Sequence, residues 1–523
     1  MTILFAHDAL SQLIDAFAER FLVRRFQRER AVSLIGSGRR DMQIGMESAF
    51  LNVHFINKYI FEGVMSMTDT GSHSVTGDAC ALAEDFAQGR SDPVQALDKA
   101  LQQAARADHV FISMSIERAR REAEASAARW QQGQPLSPFD GVPIAWKDLF
   151  DVAGSVTTAG AAVRNNLSPA LLDAPSVGLL ARSGMVSLGK TNLSEFAYSG
   201  LGLNPHFGTP INPNSDGSPR IPGGSSSGSA VAVANRTVPI AMGTDTAGSI
   251  RVPAALNGLV GFRSTSRRYS RDGVFPLALT LDSVGPLTRS VRDALVIDDL
   301  LCARSKPSSL IPRSLAGQRF LLDQAVLEDE RVTPAVRDNL LRAVEALRAS
   351  GALIEVKPCQ AFQATLLLTQ QQGWLGAAEA FALHQPLLDS DAASQLDPRV
   401  RKRLEAARHM PASLLVNLYA ARERLQEQLT LELDGALLIT PTVAHVAPPL
   451  VPLLNDEELF IQTNLATLRL TMPGSLLNMP GVSLPSGSDA SGLPTAVLLS
   501  APAGEDARLL RAALAVEALI AAP

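Results

Sequence analysis

Between residues 141 and 300, short β-branched segments alternate with Gly/Ser turns and Ala/Leu-rich helical runs. Strand side chains repeat every two residues and helix side chains every 3.6, so a chain that keeps switching between the two needs a sheet with helices packed on it. An α/β fold is predicted, in preference to an all-α or all-β one. From Gly77 to Trp130 the chain reads as helical. Apolar positions fall three or four apart in "DPVQALDKALQQAARA", and charge alternates along "SIERARREAEASAARW". Residues 335–356 read as a helix, a stop at Gly351 and a strand, and residues 360–435 as mainly helical. "ALLITPTVAHVAPP" reads as a buried strand entering a Pro-rich loop. No tandem repeat or long linker divides this body, so 71–523 is expected to be one large domain. Residues 1–70, with the Arg- and Phe-rich "FAERFLVRRFQRERAVSLIGSGRRD", are expected to be an N-terminal extension, either disordered or upstream of a native start at Met65 or Met67.

Composition removes several function classes. A formal net charge of −5 gives no general attraction to nucleic acid or to an anionic membrane surface. The three cysteines, Cys80, Cys302 and Cys359, are odd in number and far apart, which suits neither a disulfide framework nor a metal site. The histidines are scattered and no HExxH occurs, so no metal and no cofactor is expected. No apolar run approaches the roughly 18–20 residues of a membrane span. The start lacks a basic segment followed by a small-residue cleavage site, so a cytoplasmic protein is expected.

Chemistry concentrates in "GGSSSGSAVAVANRTVPIAMGTDTAGSIRVPAALNG". Here "TVPIAM" is strand-like, "GTDTAG" is a turn and "SIRVPAALNG" is a short helix closed by Gly258. Ser249 therefore sits where a strand turns into a helix. The N–H groups of Thr246, Ala247 and Gly248 can converge beside it, which suits a nucleophile with an adjoining oxyanion hole. A serine nucleophile needs a base, and no histidine lies in this stretch. Lys147 follows the short apolar strand "VPIAW", which carries its amine into the interior. The serine triplet itself offers no phosphate cradle, since no GxxxxGK[ST] occurs in the chain.

"GVPIAWKDLFDV", "GGSSSGSA" and "GTDTAGSIRVPA" resemble, in that order, the three blocks of the amidase signature family. Similarity continues through "ARSGMVSLGKTNLSEFAYSGLGLNPHFGTPINP" and two C-terminal segments, covering about Ser91 to the end. The resemblance implies a single α/β domain with a central mixed, twisted β-sheet covered by helices on both faces. It also implies a Ser–cis-Ser–Lys triad. The family's lysine falls on Lys147, its bridging serine in a cis peptide on Ser225, and its nucleophile on Ser249, 24 residues further on. Ser227 and Ala247 stand where the pattern has glycine. Alanine keeps its N–H, so the hole survives at Ala247 if φ there is ordinary.

On this resemblance the expected activity is hydrolysis of a linear carboxamide through an acyl-enzyme, with a small-molecule amide as substrate and a homodimer as one assembly. The alternative is the A subunit of a tRNA-dependent amidotransferase, releasing ammonia from glutamine for a partner. Supporting roles are expected for Ser226 beside the triad and for Asp245 and Arg251 as an ion pair bracing the turn. Phe196 and Tyr198 are candidates for the substrate pocket, Asp148 for a helix cap or structural partner, and His206 for a loop or core histidine.

Overall fold

A computed structural model describes residues 77–520. The expected extension at 1–70 lies outside the described residues, all of which fall within one compact unit, Asp69–Pro523. Among the described residues eleven strands build one sheet: β1 (Phe111–Met114), β2 (Pro143–Lys147), β3 (Val186–Thr191), β4 (Ile240–Asp245), β5 (Val260–Arg263), β6 (Ser283–Thr288), β7 (Arg319–Asp323), β8 (Leu353–Lys357), β9 (Leu437–Pro441), β10 (Gly481–Ser488) and β11 (Pro494–Ser500). Their order is β1-β3-β2-β4-β6-β5-β10-β11-β9-β7-β8. β2 runs parallel to β3 and β4, and β7 parallel to β8 and β9, while the pairs between these groups are antiparallel. The sheet is therefore mixed.

Alternation along the strands sends side chains into two layers. Ile144 and Trp146 of β2, Ile240 and Met242 of β4, and Phe320 and Leu322 of β7 join one core. Helices Val291–Leu301, Pro334–Ala349 and Asp506–Ile520 cover it with residues such as Leu295, Val344 and Leu509. On the other face Ala145 and Ala241 meet helices Pro93–Ala104, Ile116–Gln131 and Ser227–Ala234, while Leu321 and Leu438 meet Gln360–Gln372 and Ala412–Leu433. Strands covered on both faces read as near-continuous apolar runs, as "VPIAW" does.

The stretch 77–130, read as helical throughout, contains the edge strand β1 between two of its helices. Four residues are too few to show a strand period against helical neighbours, and β1 is held by antiparallel pairing with β3. The helix–Gly351–strand reading corresponds to Pro334–Ala349, a left-handed Gly351 at φ 86°, and β8.

Candidate active site

β2, β3 and β4 are parallel neighbours, so their C-terminal ends lie along one edge of the sheet, where open α/β sheets form their ligand crevices. Lys147 is the last residue of β2 and sits in register with Thr191, the last of β3. β4 ends at Asp245 and leads into the turn carrying Ser249. Ser225 arrives at this edge on the loop before helix Ser227–Ala234. That helix is built of small and apolar residues, is almost wholly buried, and packs across β2 and β4. Gly228 allows the approach, since a Cβ there would lie 2.4 Å from the Val110 carbonyl oxygen and 2.5 Å from the Asn192 nitrogen.

Lys147 has no exposed surface. Its Nζ lies 2.7 Å from Ser225 Oγ, 2.9 Å from Thr244 Oγ1 and 3.5 Å from the Thr244 carbonyl oxygen. Burial pulls the ammonium down to about 7, against the opposing pull of Asp245 and Asp282. A neutral amine has two N–H donors and one lone pair, and three partners are present. The two oxygens of Thr244 suit the donors and the Ser225 hydroxyl suits the lone pair.

The Gly224–Ser225 peptide is cis. The Ser225 carbonyl oxygen accepts from the Ser194 and Ser227 N–H groups at 3.2 and 2.9 Å. The Ser226 N–H donates to the Ser249 carbonyl oxygen at 3.3 Å, and the Ser226 hydroxyl reaches the Thr244 carbonyl at 3.4 Å. These contacts tie the serine loop to the Ser249 turn. Ser227 opens its helix, fully buried, with its hydroxyl 3.5 Å from the Asn192 carbonyl oxygen.

Ser249 is 4% exposed. Among the described residues no acceptor takes the N–H groups of Thr246, Ala247, Gly248 or Ser249, and no group hydrogen-bonds Ser249 Oγ. The N–H groups that open the following helix, of Ile250 and Arg251, are already bound to Asp245 Oδ2. The donors left free for an incoming anion therefore belong to the turn. Ala247 does not occupy the left-handed region, whereas Gly248 does, at φ 144°. A Cβ on Gly248 would also lie 2.2 Å from Thr471 Oγ1, so this second position is the one that requires glycine. Thr471 Oγ1 holds the Ala247 carbonyl at 2.6 Å, and Thr246 Oγ1 donates to Asp282 at 2.6 Å.

The family model for Amidase matches residues 92–510. The chain belongs to the amidase family. It is 33% identical over 77% of its length to the 2-amino-5-chloromuconic acid deaminase of Comamonas testosteroni, covering 87% of that protein. It is 31% identical over 84% of its length to the A subunit of the glutamyl-tRNA(Gln) amidotransferase of Renibacterium salmoninarum, covering 93% of it. A crystal structure of an amidase superposes with a TM-score of 0.75 at 32% identity, over 85% of this chain and all of the other.

Around the Ser249 turn of this amidase-family chain lies a buried ionic brace. Arg251 binds Asp245 through two contacts of 3.0 and 2.9 Å and reaches Ser475 Oγ at 2.8 Å. Arg263, which stands in no motif of the sequence, donates to the Asp245 carboxylate at 3.2 Å and to its backbone oxygen. Burial pushes the Asp245 carboxyl up, but Arg251 and Arg263 together hold it well below the usual carboxylate range. Asp245→Asn leaves two buried guanidinium groups sharing a neutral partner. Stability is expected to fall by about 3–5 kcal/mol, read as a lower midpoint of urea unfolding.

The remaining candidates lie further out. Asp148 caps no helix and pairs instead with Lys190 at 2.6 Å, both fully buried, while accepting from Thr158. His206 Nε2 lies 2.9 Å from the buried Glu195. Tyr198 is buried under the Arg403 guanidinium, 4.3 Å from its ring centroid. Phe196 has φ 51° and forms part of an aromatic cluster with Phe275 and His384. Among the described residues no acidic, histidine or cysteine cluster could hold a metal ion, and no helix is long and apolar enough to cross a membrane.

Proposed function

We propose that this protein hydrolyses a carboxamide to a carboxylic acid and ammonia by acyl transfer to Ser249, with Ser225 as proton relay and Lys147 as base. The observation that carries this reading is the buried Lys147 amine, poised near neutrality and 2.7 Å from Ser225 Oγ. Ser249 attacks the carbonyl carbon. Its proton passes to Ser225, whose own proton passes to Lys147, because a hydroxyl both donates and accepts. The oxyanion is met by the turn's free N–H groups at Thr246, Ala247 and Gly248, together with that of Ser249, while the Thr246 hydroxyl anchors the turn through Asp282. Lys147 then returns the proton through Ser225 to the leaving nitrogen. Water cleaves the acyl-enzyme by the same relay in reverse.

The substrate class is small linear amides, the location is the cytoplasm, and the unit of activity is the chain itself, alone or as a homodimer. Similarity to the A subunit of a glutamyl-tRNA(Gln) amidotransferase favours one second reading, ammonia release from glutamine for a partner protein. An ammonia-release screen on the protein purified alone separates the two, with primary, cyclic and peptide amides beside glutamine and Ser249→Ala as the blank. Release from small amides above the blank supports the amidase. Release from glutamine alone, rising when a partner is added, supports the amidotransferase role. No release above the blank from any amide refutes both.

A further inference from the structure

A cavity of about 370 Å³ is bordered by Arg164, Phe196, Phe275, Pro276, His384 and Leu387. Two of its walls connect to the site through short stretches of chain. Phe196 lies two residues after Ser194, whose N–H binds the Ser225 carbonyl. Phe275 and Pro276 precede Leu277 and Ala278, whose N–H groups hold Asp282 at 2.9 and 3.0 Å, and Asp282 receives the Thr246 hydroxyl. The cavity thus shares its framework with both the relay serine and the Ser249 turn.

Its lining combines flat rings with one cation. The planes of Phe196, Phe275 and His384 lie within 24° of one another, with centroids 5.1–5.3 Å apart. At that spacing the three rings already stack on one another, so a further flat group adds at an outer face of the stack, by offset stacking. The Arg164 guanidinium lies 4.5 Å from the centroid of Phe275. Its Nε donates to the Thr157 carbonyl at 3.1 Å, and among the described residues no carboxylate lies within ion-pair distance of it. Burial draws the Arg164 guanidinium below its usual value, with Asp148 and Asp151 opposing from a distance, so a half-buried cation stands at the cavity without a close counter-charge. His384 is 6% exposed, and its Nε2 also lacks a hydrogen-bond partner among the described residues.

We infer that this cavity holds the acyl part of the substrate, and that the acyl part is a flat aromatic or conjugated group bearing its own carboxylate, which pairs with Arg164. This inference rests on the amide-hydrolysis reading only for the word acyl; the cavity's preference for a flat anion stands on its own lining. A planar carboxylate suits a guanidinium because two parallel N–H···O bonds match its geometry. The rings beside it supply the apolar contact.

The test is calorimetric titration of the Ser249→Ala protein, which separates binding from turnover, with 4-carbamoylbenzoate, benzamide and cyclohexanecarboxamide. The carboxylated aryl amide is expected to bind about tenfold or more tighter than benzamide, in line with the strength of a charge-assisted pair. Benzamide is expected to bind more tightly than its saturated analogue. Adding Arg164→Gln should erase the first gap, with the urea unfolding midpoint read alongside to report that the variant is folded; Arg164→Lys should restore part of it. Equal binding of the two aryl amides, a gap that survives Arg164→Gln, or no binding of any of the three overturns the inference. Ammonia release by the wild-type protein is scored separately. Selective binding with no release from any amide refutes the hydrolytic reading alone, and release without selectivity refutes this inference alone.

Discussion

Ser249→Ala is expected to lower kcat/KM on the best amide of the screen by about 10³-fold or more while leaving KM or substrate binding little changed. Three features direct the attack to this hydroxyl rather than to the serines beside Lys147. Ser225 Oγ already contacts the lysine amine, and Ser226 Oγ faces the Thr244 carbonyl. Ser249 Oγ alone of the three has no partner among the described residues, and it stands at the turn whose N–H groups are free. A fluorophosphonate probe followed by peptide mapping gives an independent reading, with the label expected on Ser249 and absent from the alanine variant. Labelling at Ser225, or turnover that persists in Ser249→Ala, would remove Ser249 from the role. Ser225→Ala should also be severely impaired, and its effect should not add to that of Ser249→Ala, because the two act in one proton path.

How much of this was legible in the sequence depends on whether a residue belonged to a pattern. The sheet announced itself because "VPIAW" and "TVPIAM" are apolar runs bounded by Gly/Ser turns, and the parallel trio around β2 follows from their helical connections. Lys147, Ser225 and Ser249 stand in blocks whose order and spacing are themselves informative. The framework around them is not local. Thr471 reaches the Ala247 carbonyl across 224 residues, Arg263 reaches Asp245 from β5, and Asp282 reaches Thr246 from the start of the β6 region. Each is a single polar residue with no periodic signal, and only the sheet order brings it to the turn. Thr244 was within reach, since it is the penultimate residue of β4 and β4 pairs with the lysine strand. The helix after Ser249 carries a different lesson. Asp245 occupies the N–H groups of Ile250 and Arg251 at its start, so the charge at that helix end is already balanced from within the chain and the free donors are those of the turn.

The pH dependence gives the second large effect, because the base works only when neutral. At a reference pKa of about 10.4, roughly 0.04% of lysine is neutral at pH 7, whereas a group near 7 is about half neutral. The kcat/KM profile is therefore expected to rise with pH through about 7 and level off above it. Lys147→Ala and Lys147→Arg should both lose about 10³-fold or more. The arginine is the sharper test, since it keeps a cation and donors for Thr244 but cannot lose its proton at working pH. Activity retained in Lys147→Arg would mean that charge rather than basicity is required. Stability follows the same titration. The folded value lies below the unfolded one, so between about pH 7 and 10 the unfolded chain binds a proton that the folded chain has released, and this group's contribution becomes more favourable as pH rises. Lys147→Met removes that dependence. Its stability relative to the wild type is expected to be greatest below pH 7 and to decline steadily toward pH 10, measured as unfolding midpoints in urea across the range. A flat difference would place the wild-type amine outside this window and leave the acid limb of the activity profile to another group.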